Sequence, residues 1–237
     1  MRVRRLGCLI ATVAALALGP LPAAAQGAGC RLALAIALDV SSSVNQAEHR
    51  LQADGLADAL LQPGVTAALL APGIGGHVAI AVYEWSGRNQ QVLIADWAPM
   101  TSPEAIKALA DKVRAAPRSY VDFPTALGYA LGYGAVQLAR APACNKHTID
   151  VAGDGKNNDG FEPRHAYNAF DFRGVTVNAL VIGGPERIDL MRYFETDVLH
   201  GPDAFTEIAD NYADFSRAMV RKLLREIKPA LVIGDAR

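Results

Sequence analysis

The run Arg31-Leu-Ala-Leu-Ala-Ile-Ala-Leu38, closed by Asp39-Val-Ser-Ser-Ser43, constrains the fold of this chain more than any other segment. A mostly apolar stretch of that length, stopped by a polar cluster, has the character of a strand buried on both faces in a parallel sheet. Asp39, Ser41 and Ser43 alternate, so their oxygens can converge on one point above the strand's carboxyl end. Three hard oxygen donors, only one of them charged, suit a divalent cation such as Mg²⁺ and leave it open to a partner's carboxylate. The same residues also fit a loop whose Asp and Ser merely cap the next helix, and the motif alone does not choose between the two.

Strand-like and helix-like runs alternate along the rest of the chain, the pattern of an α/β fold built on a largely parallel sheet. Strands are expected at 31–39, 77–85, 90–97, 147–152, 175–182 and 204–208. The strand at 90–97 follows 77–85 closely enough to pair with it as an antiparallel edge. Helices are expected at 46–61 with an extension to Leu70, at 102–115, from Pro124 to Leu138, at 162–170, at 186–198 and at 210–227. In the last of these, Tyr212, Phe215, Met219, Leu223 and Ile227 share one face and should pack on the sheet. Gly73-Ile-Gly-Gly76 reads as a turn.

The N-terminus reads differently. Met1-Arg-Val-Arg-Arg5 is basic, Leu6 to Leu18 is almost continuously apolar, and Ala23-Ala24-Ala25 offers small residues for cleavage. Residues 1–25 are therefore expected to be a secretory signal peptide, directing the mature chain to the periplasm or beyond the cell. General secretion is preferred over twin-arginine export, because the residues around Arg4-Arg5 fit the latter poorly. Residues 26–228 would form one domain and 229–237 a loose tail. Removing the three leader arginines leaves 20 basic residues against 24 acidic, a formal charge of −4. With no basic stripe, nucleic acid is not an expected partner. No segment after the leader is long and apolar enough to span a bilayer. Two cysteines remain, Cys30 and Cys144, and an even number in an oxidising compartment suggests one disulfide.

In an open α/β sheet, ligands bind beyond the carboxyl ends of the strands. Asp39-x-Ser41-x-Ser43, Thr125 in Phe123-Pro124-Thr125, and Asp154 at the end of Ile149-Asp-Val-Ala-Gly-Asp154 should all reach that edge. In these motifs and their order the chain resembles the von Willebrand factor A (VWA) domain family and its metal-ion-dependent adhesion site (MIDAS). It resembles more narrowly a group of exported bacterial VWA-like proteins of the DUF1194 type, on Val151-Ala-Gly-Asp-Gly-Lys-Asn-Asn158 and the Arg217–Ile227 helix. The resemblance implies a three-layer Rossmann-like fold with strand order 3-2-1-4-5-6, strand 3 antiparallel at the edge, and helices on both faces. It also implies one divalent cation (Mg²⁺ first, Mn²⁺ or Ca²⁺ as alternatives). Ser41, Ser43 and Thr125 would hold the cation directly and Asp39 and Asp154 through water, and an Asp or Glu of a protein partner would complete its coordination. Where the family places a glycine shortly before the Thr, this chain has Phe123-Pro124. The family strand order makes the Cys30 and Cys144 strands parallel neighbours, about 4.8 Å apart, within reach of a disulfide.

Trp85, at the end of its strand, is a candidate for the ligand face or for an aromatic covering the core, and Asn157 and Asn158 are candidates for shaping the loop beside the site or for touching a ligand. Asp154-Gly-Lys-Asn-Asn-Asp159 resembles a calcium loop, but Lys156 stands where a ligand oxygen is needed. His49, His77, His147, His165 and His200 are scattered without metal-ligand spacing and are expected in surface or capping roles. The chain has no G-x-S-x-G elbow, Walker loop or H-E-x-x-H. The expectation is therefore an exported, metal-dependent binding module rather than an enzyme. A metal-assisted phosphoester hydrolase and a structural domain with a degenerate site are the alternatives.

Overall fold

The structure, a computed structural model, describes residues 29–71, 76–183 and 187–227. The expected signal peptide at 1–25, most of the expected turn before Gly76, Gly184 and the expected tail at 229–237 lie outside the described residues. Strand β1 (Cys30–Asp39) is buried along its whole length, and its alternation sorts side chains by size. Leu32, Leu34, Ile36 and Leu38 enter one core, whereas Ala33, Ala35 and Ala37 enter the other. The two helical layers are therefore offered different surfaces.

The chain continues through α1 (Gln46–Leu61), α2 (Pro63–Leu70), β2 (His77–Trp85), β3 (Gln91–Pro99), α3 (Pro103–Ala115) and α4 (Leu127–Leu138). It then runs through β4 (His147–Gly153), α5 (Pro163–Ala169), β5 (Val175–Ile182), α6 (Arg187–Tyr193), β6 (Thr206–Ala209) and α7 (Phe215–Ile227). On the large-residue face of β1 lie α1, α2, α3 and α7; on the alanine face lie α4, α5 and α6. Short side chains on β1 let α4 approach closely, and α4 answers with Gly134. A methyl group there would come within 2.6 Å of the Tyr83 hydroxyl and 2.7 Å of the Ile149 side chain.

The strand order is β3-β2-β1-β4-β5-β6, with β3 antiparallel to β2 and every other pair parallel, as the resemblance implied. Cys30 and Cys144 are bonded, with Cα atoms 4.4 Å apart, at the sheet edge opposite Asp39. A loop of that span closed by a disulfide is worth about 2–4 kcal/mol of stability.

Several helix boundaries differ from expectation. The helix expected from Pro124 begins only at Leu127, because the Thr125 backbone bonds to Asn158 instead of starting a turn. The helix expected at 186–198 is α6 followed by a π-helical turn over Phe194–Val198. The residues leading into α7 form a 3-10 turn, Tyr212–Asp214. The apolar face of the last helix packs inward as its spacing predicted, with Tyr212, Phe215, Met219, Leu223 and Ile227 all buried. Lys222 is buried with them. Its Nζ lies 2.9 Å from Asp150 Oδ1 and 2.7 Å from Glu226 Oε1, and Asn178 donates to the same Glu226 oxygen at 2.7 Å.

Candidate metal centre

Three loops meet at the carboxyl edge of β1 and β4. The first begins where β1 ends and stops at α1, whose N-cap is Asn45. The Asn45 side chain accepts from the N–H groups of Ala47 and Glu48, and the Glu48 carboxylate accepts from the Asn45 N–H. This capping box satisfies the helix end without any help from Asp39, Ser41 or Ser43. The capping explanation of the Asp-x-Ser-x-Ser segment is thereby removed, because another residue performs that task.

The segment turns inward instead. Asp39 is fully buried, and its Oδ1 accepts from the Ser41 N–H at 2.7 Å. The Ser41 and Ser43 hydroxyls lie 3.1 Å apart, and Ser43 donates to Asp154 Oδ1 at 2.6 Å. Asp154 comes from the loop after β4 and also accepts from the Tyr212 hydroxyl at 3.1 Å. Thr125 is buried in the loop before α4. Its backbone is clamped on both sides by Asn158: the Thr125 N–H donates to Asn158 Oδ1, and the Asn158 N–H donates to the Thr125 carbonyl, each at 2.9 Å. The Ser42 N–H donates to the Phe123 carbonyl at 2.8 Å, joining the first loop to the second. Arg118 completes the stitching by donating to the carbonyls of Val40 and Ser41.

Electrostatics at this edge are unbalanced. Burial, then the negative charge of Asp154, pushes the Asp39 carboxyl up to about 7, while hydrogen bonds from Ser41 work in the other direction. Asp39 Oδ2 is buried and makes no hydrogen bond among the described residues. A buried, orphaned carboxylate oxygen facing a second carboxylate is costly unless a cation joins them. Among the described residues no cluster of three His, Cys, Asp or Glu side chains is placed to hold a metal ion. An ion here would depend on the serine and threonine hydroxyls, a donor set that suits a hard cation. The residues present fit such an ion on both counts.

The other sequence candidates have different places. Of the two places open to Trp85, ligand face and core, the structure gives the core: it is fully buried, pairs in register with Asp39 and packs into the alanine-face core beneath the loops. Asn158 is committed to Thr125, and Asn157 accepts from the Gly128 N–H in the first turn of α4. His49, expected in a surface or capping role, is buried, with Nε2 2.7 Å from Glu84 Oε1. The other oxygen of Glu84 accepts from the Ser119 N–H at 2.9 Å, so this pair anchors the loop that carries Thr125. Neither His49 nor Tyr212 had a local signal, since their partners lie far away in sequence.

A sheet in this order, with Asp-x-Ser-x-Ser after β1 and Thr and Asp delivered by two further loops, defines a von Willebrand factor A fold. Solved structures agree. Proximal thread matrix protein 1 (PTMP1) from the mussel byssus, described with a zinc-occupied MIDAS motif, matches with a TM-score of 0.57 and 14% identity, over 84% of this chain and 48% of that one. The pilus adhesin SpaC from Lactobacillus rhamnosus GG matches with a TM-score of 0.59 and 14% identity, over 84% and 30%. A von Willebrand factor type A protein from Catenulispora acidiphila gives 0.58 and 15% identity, over 84% and 43%. The chain spans less than half the length of each of these proteins, and at such identities the likeness defines the fold alone. No curated protein sequence matches the chain. The chain belongs to the family described as "Protein of unknown function (DUF1194)", which it matches over residues 29–231. Among the described residues no helix is long and apolar enough to cross a membrane.

Proposed function

We propose that this protein is an exported binding module that uses one divalent cation to engage an acidic group on a protein partner. The observation that carries the reading is the orphaned, buried Asp39 Oδ2 in a site where Ser43 already links Ser41 to Asp154 by hydrogen bonds. Ser41, Ser43 and Thr125 would offer hydroxyl oxygens to the ion. Asp39 and Asp154 would supply the negative charge, held in place by the Ser41 N–H and the Tyr212 hydroxyl. With the carboxylates acting through water and only neutral hydroxyls bound directly, a divalent ion would be able to accept an anionic ligand, which an Asp or Glu of the partner provides. Mg²⁺ suits this hard, all-oxygen set. The pilus adhesin and the zinc-occupied mussel protein support an adhesion-type role by their shared fold. The basic, apolar and small-residue pattern of residues 1–25 supports export.

Titration calorimetry of the mature chain with Mg²⁺, Mn²⁺ and Ca²⁺ tests the metal. Binding heat that disappears in Asp39→Ala is the expected result; a folded protein giving no heat with any of the three removes the cation from the reading. Capture of partners from envelope extract with and without EDTA tests the second half. Mg²⁺-dependent turnover of phosphoesters, lost in Asp39→Ala, would replace binding by hydrolysis.

A further inference from the structure

We propose that the loop over residues 118–123 is the specificity surface of this same site. Its ligand is then a protein segment in which the acidic residue is flanked by a large apolar side chain. The inference rests on the metal-dependent reading above. Val121 and Phe123 are 52% and 37% exposed, on either side of exposed Asp122 and directly before buried Thr125. Elsewhere among the described residues, large apolar side chains of similar exposure, such as Leu51, Leu61 and Val136, sit singly on helix surfaces, where they need no explanation. Here two of them occur within three residues, in a loop that contributes to the cation site.

Their exposure does not come from a loose loop. Arg118 is bonded to the carbonyls of Val40 and Ser41, the Ser119 N–H to the buried Glu84, and the Phe123 carbonyl to the Ser42 N–H. The Tyr120 ring packs edge-on against Phe123, with centroids 5.9 Å apart. Between the two apolar residues, Asp122 adopts a left-handed backbone with φ of 63°. An Asp takes that conformation readily in a tight turn, as Asp203 also does with φ of 57°, and the turn sets Val121 and Phe123 on either side of it. The chain therefore presents Val121 and Phe123 to water on a pinned support, the preorganised state from which apolar burial contributes most to affinity.

The same loop selects the character of the flank. An ion alone accepts any carboxylate, so discrimination must come from the neighbouring surface. A segment rich in acids would bring like charge against Asp122, whereas a Leu or Phe beside the key acid covers Val121 and Phe123 and excludes water there. An acid next to an apolar residue is the ligand this surface favours.

Short synthetic peptides with one central Glu, flanked either by serines or by Leu and Phe, provide the test. Binding to the mature chain is measured by fluorescence polarisation in Mg²⁺ and in EDTA. We expect the apolar-flanked peptide to bind about tenfold tighter than the serine-flanked one, a difference of about 1.4 kcal/mol. We expect EDTA to abolish binding of both. The double variant Val121→Ser, Phe123→Ser should lose the preference while retaining wild-type Mg²⁺ affinity by calorimetry, and Val136→Ser should retain both. Equal affinities for the two peptides, a preference that survives the double variant, or no peptide binding to Mg²⁺-loaded protein would each overturn the inference. Absence of Mg²⁺ binding to the wild type would instead overturn the metal-dependent reading itself.

Discussion

Among the described residues, two places bring a fully buried aspartate up to a second carboxylate, and the chain treats them in opposite ways. Under α7, Asp150 and Glu226 share the fully buried Lys222, with ion-pair distances of 2.9 and 2.7 Å. At the upper edge, Asp39 faces Asp154 with hydroxyls and backbone amides around it, and among the described residues neither carboxylate has an ion pair. The first site carries its cation in the sequence. The second has the same electrostatic need and meets it only with neutral donors. The two clusters thus differ in whether a lysine pairs with their carboxylates, and that difference is the ground on which the upper edge is proposed as the ligand site.

Removing the internal cation should produce the largest effect. Lys222→Met leaves Asp150 and Glu226 buried without compensation and is expected to lower stability by about 3–5 kcal/mol in urea unfolding. A loss below about 1 kcal/mol would mean that the lower cluster is not held by its lysine.

The corresponding change at the upper site should have the opposite sign. In chelator at pH 8, Asp39→Asn is expected to raise stability by about 2 kcal/mol, because it removes a buried charge whose cost the raised pKa reflects. The same variant should lose the rise in melting temperature that Mg²⁺ gives the wild type. Destabilisation of the metal-free protein by this substitution would break the comparison.

The pH dependence follows with its sign. Asp39 has an ordinary value of 3.8 and is pushed up to about 7 in the fold, so the folded protein retains a proton that the unfolded chain releases between those values. Metal-free stability should therefore fall as pH rises from about 4 to about 7. Asp150, pushed up by burial and by Glu226 with Lys222 offsetting part, contributes in the same direction. The slope assigned to Asp39 is thus the difference between wild type and Asp39→Asn. Mg²⁺ affinity should rise through the same window as the competing proton leaves. A wild-type slope identical to that of the variant would remove Asp39 from this account.

The smallest effect is expected at Tyr212. Burial, then the charge of Asp154, pushes its hydroxyl upward, so it stays a donor to Asp154 at every working pH. Tyr212→Phe should lower stability by about 1 kcal/mol and weaken Mg²⁺ binding several-fold without abolishing it. Unchanged Mg²⁺ affinity would show that Asp154 needs no support from that hydroxyl.

Asp39-x-Ser41-x-Ser43 could be read from the sequence because its spacing is local, and a strand end presents alternate residues on one side. The sheet-edge rule brought Thr125 and Asp154 to the same edge, but only the resemblance joined them to one cation, as nothing in their own segments says which loop they will meet. The amphipathic spacing of α7 was legible, but the partner of Lys222 was not. Asp150 did carry a signal, since an acid between Ile149 and Val151 in a buried strand requires a cation nearby, but it does not say which one. Trp85 shows the limit most clearly. Its place at the strand end was correct, yet which side of the sheet its ring enters, and what covers it, depended on α4 and on the turn at Phe194–Val198.

By itself the sequence determined the order of the elements, the division of β1 into a large and a small face, and the position of the Asp-x-Ser-x-Ser loop. Periodicity and covalent adjacency act over a few residues, so each of these is written where it is used. The tertiary structure alone decided that Asn45 caps α1, leaving Ser41 and Ser43 free of that task. It also decided that buried Asp39 lies near half-buried Asp154 with no lysine paired to either, and that Val121 and Phe123 stand in water beside Thr125. Each of these outcomes depends on which distant segments pack together, and among the described residues packing paired a lysine with the carboxylates under α7 and paired no basic side chain with Asp39 and Asp154.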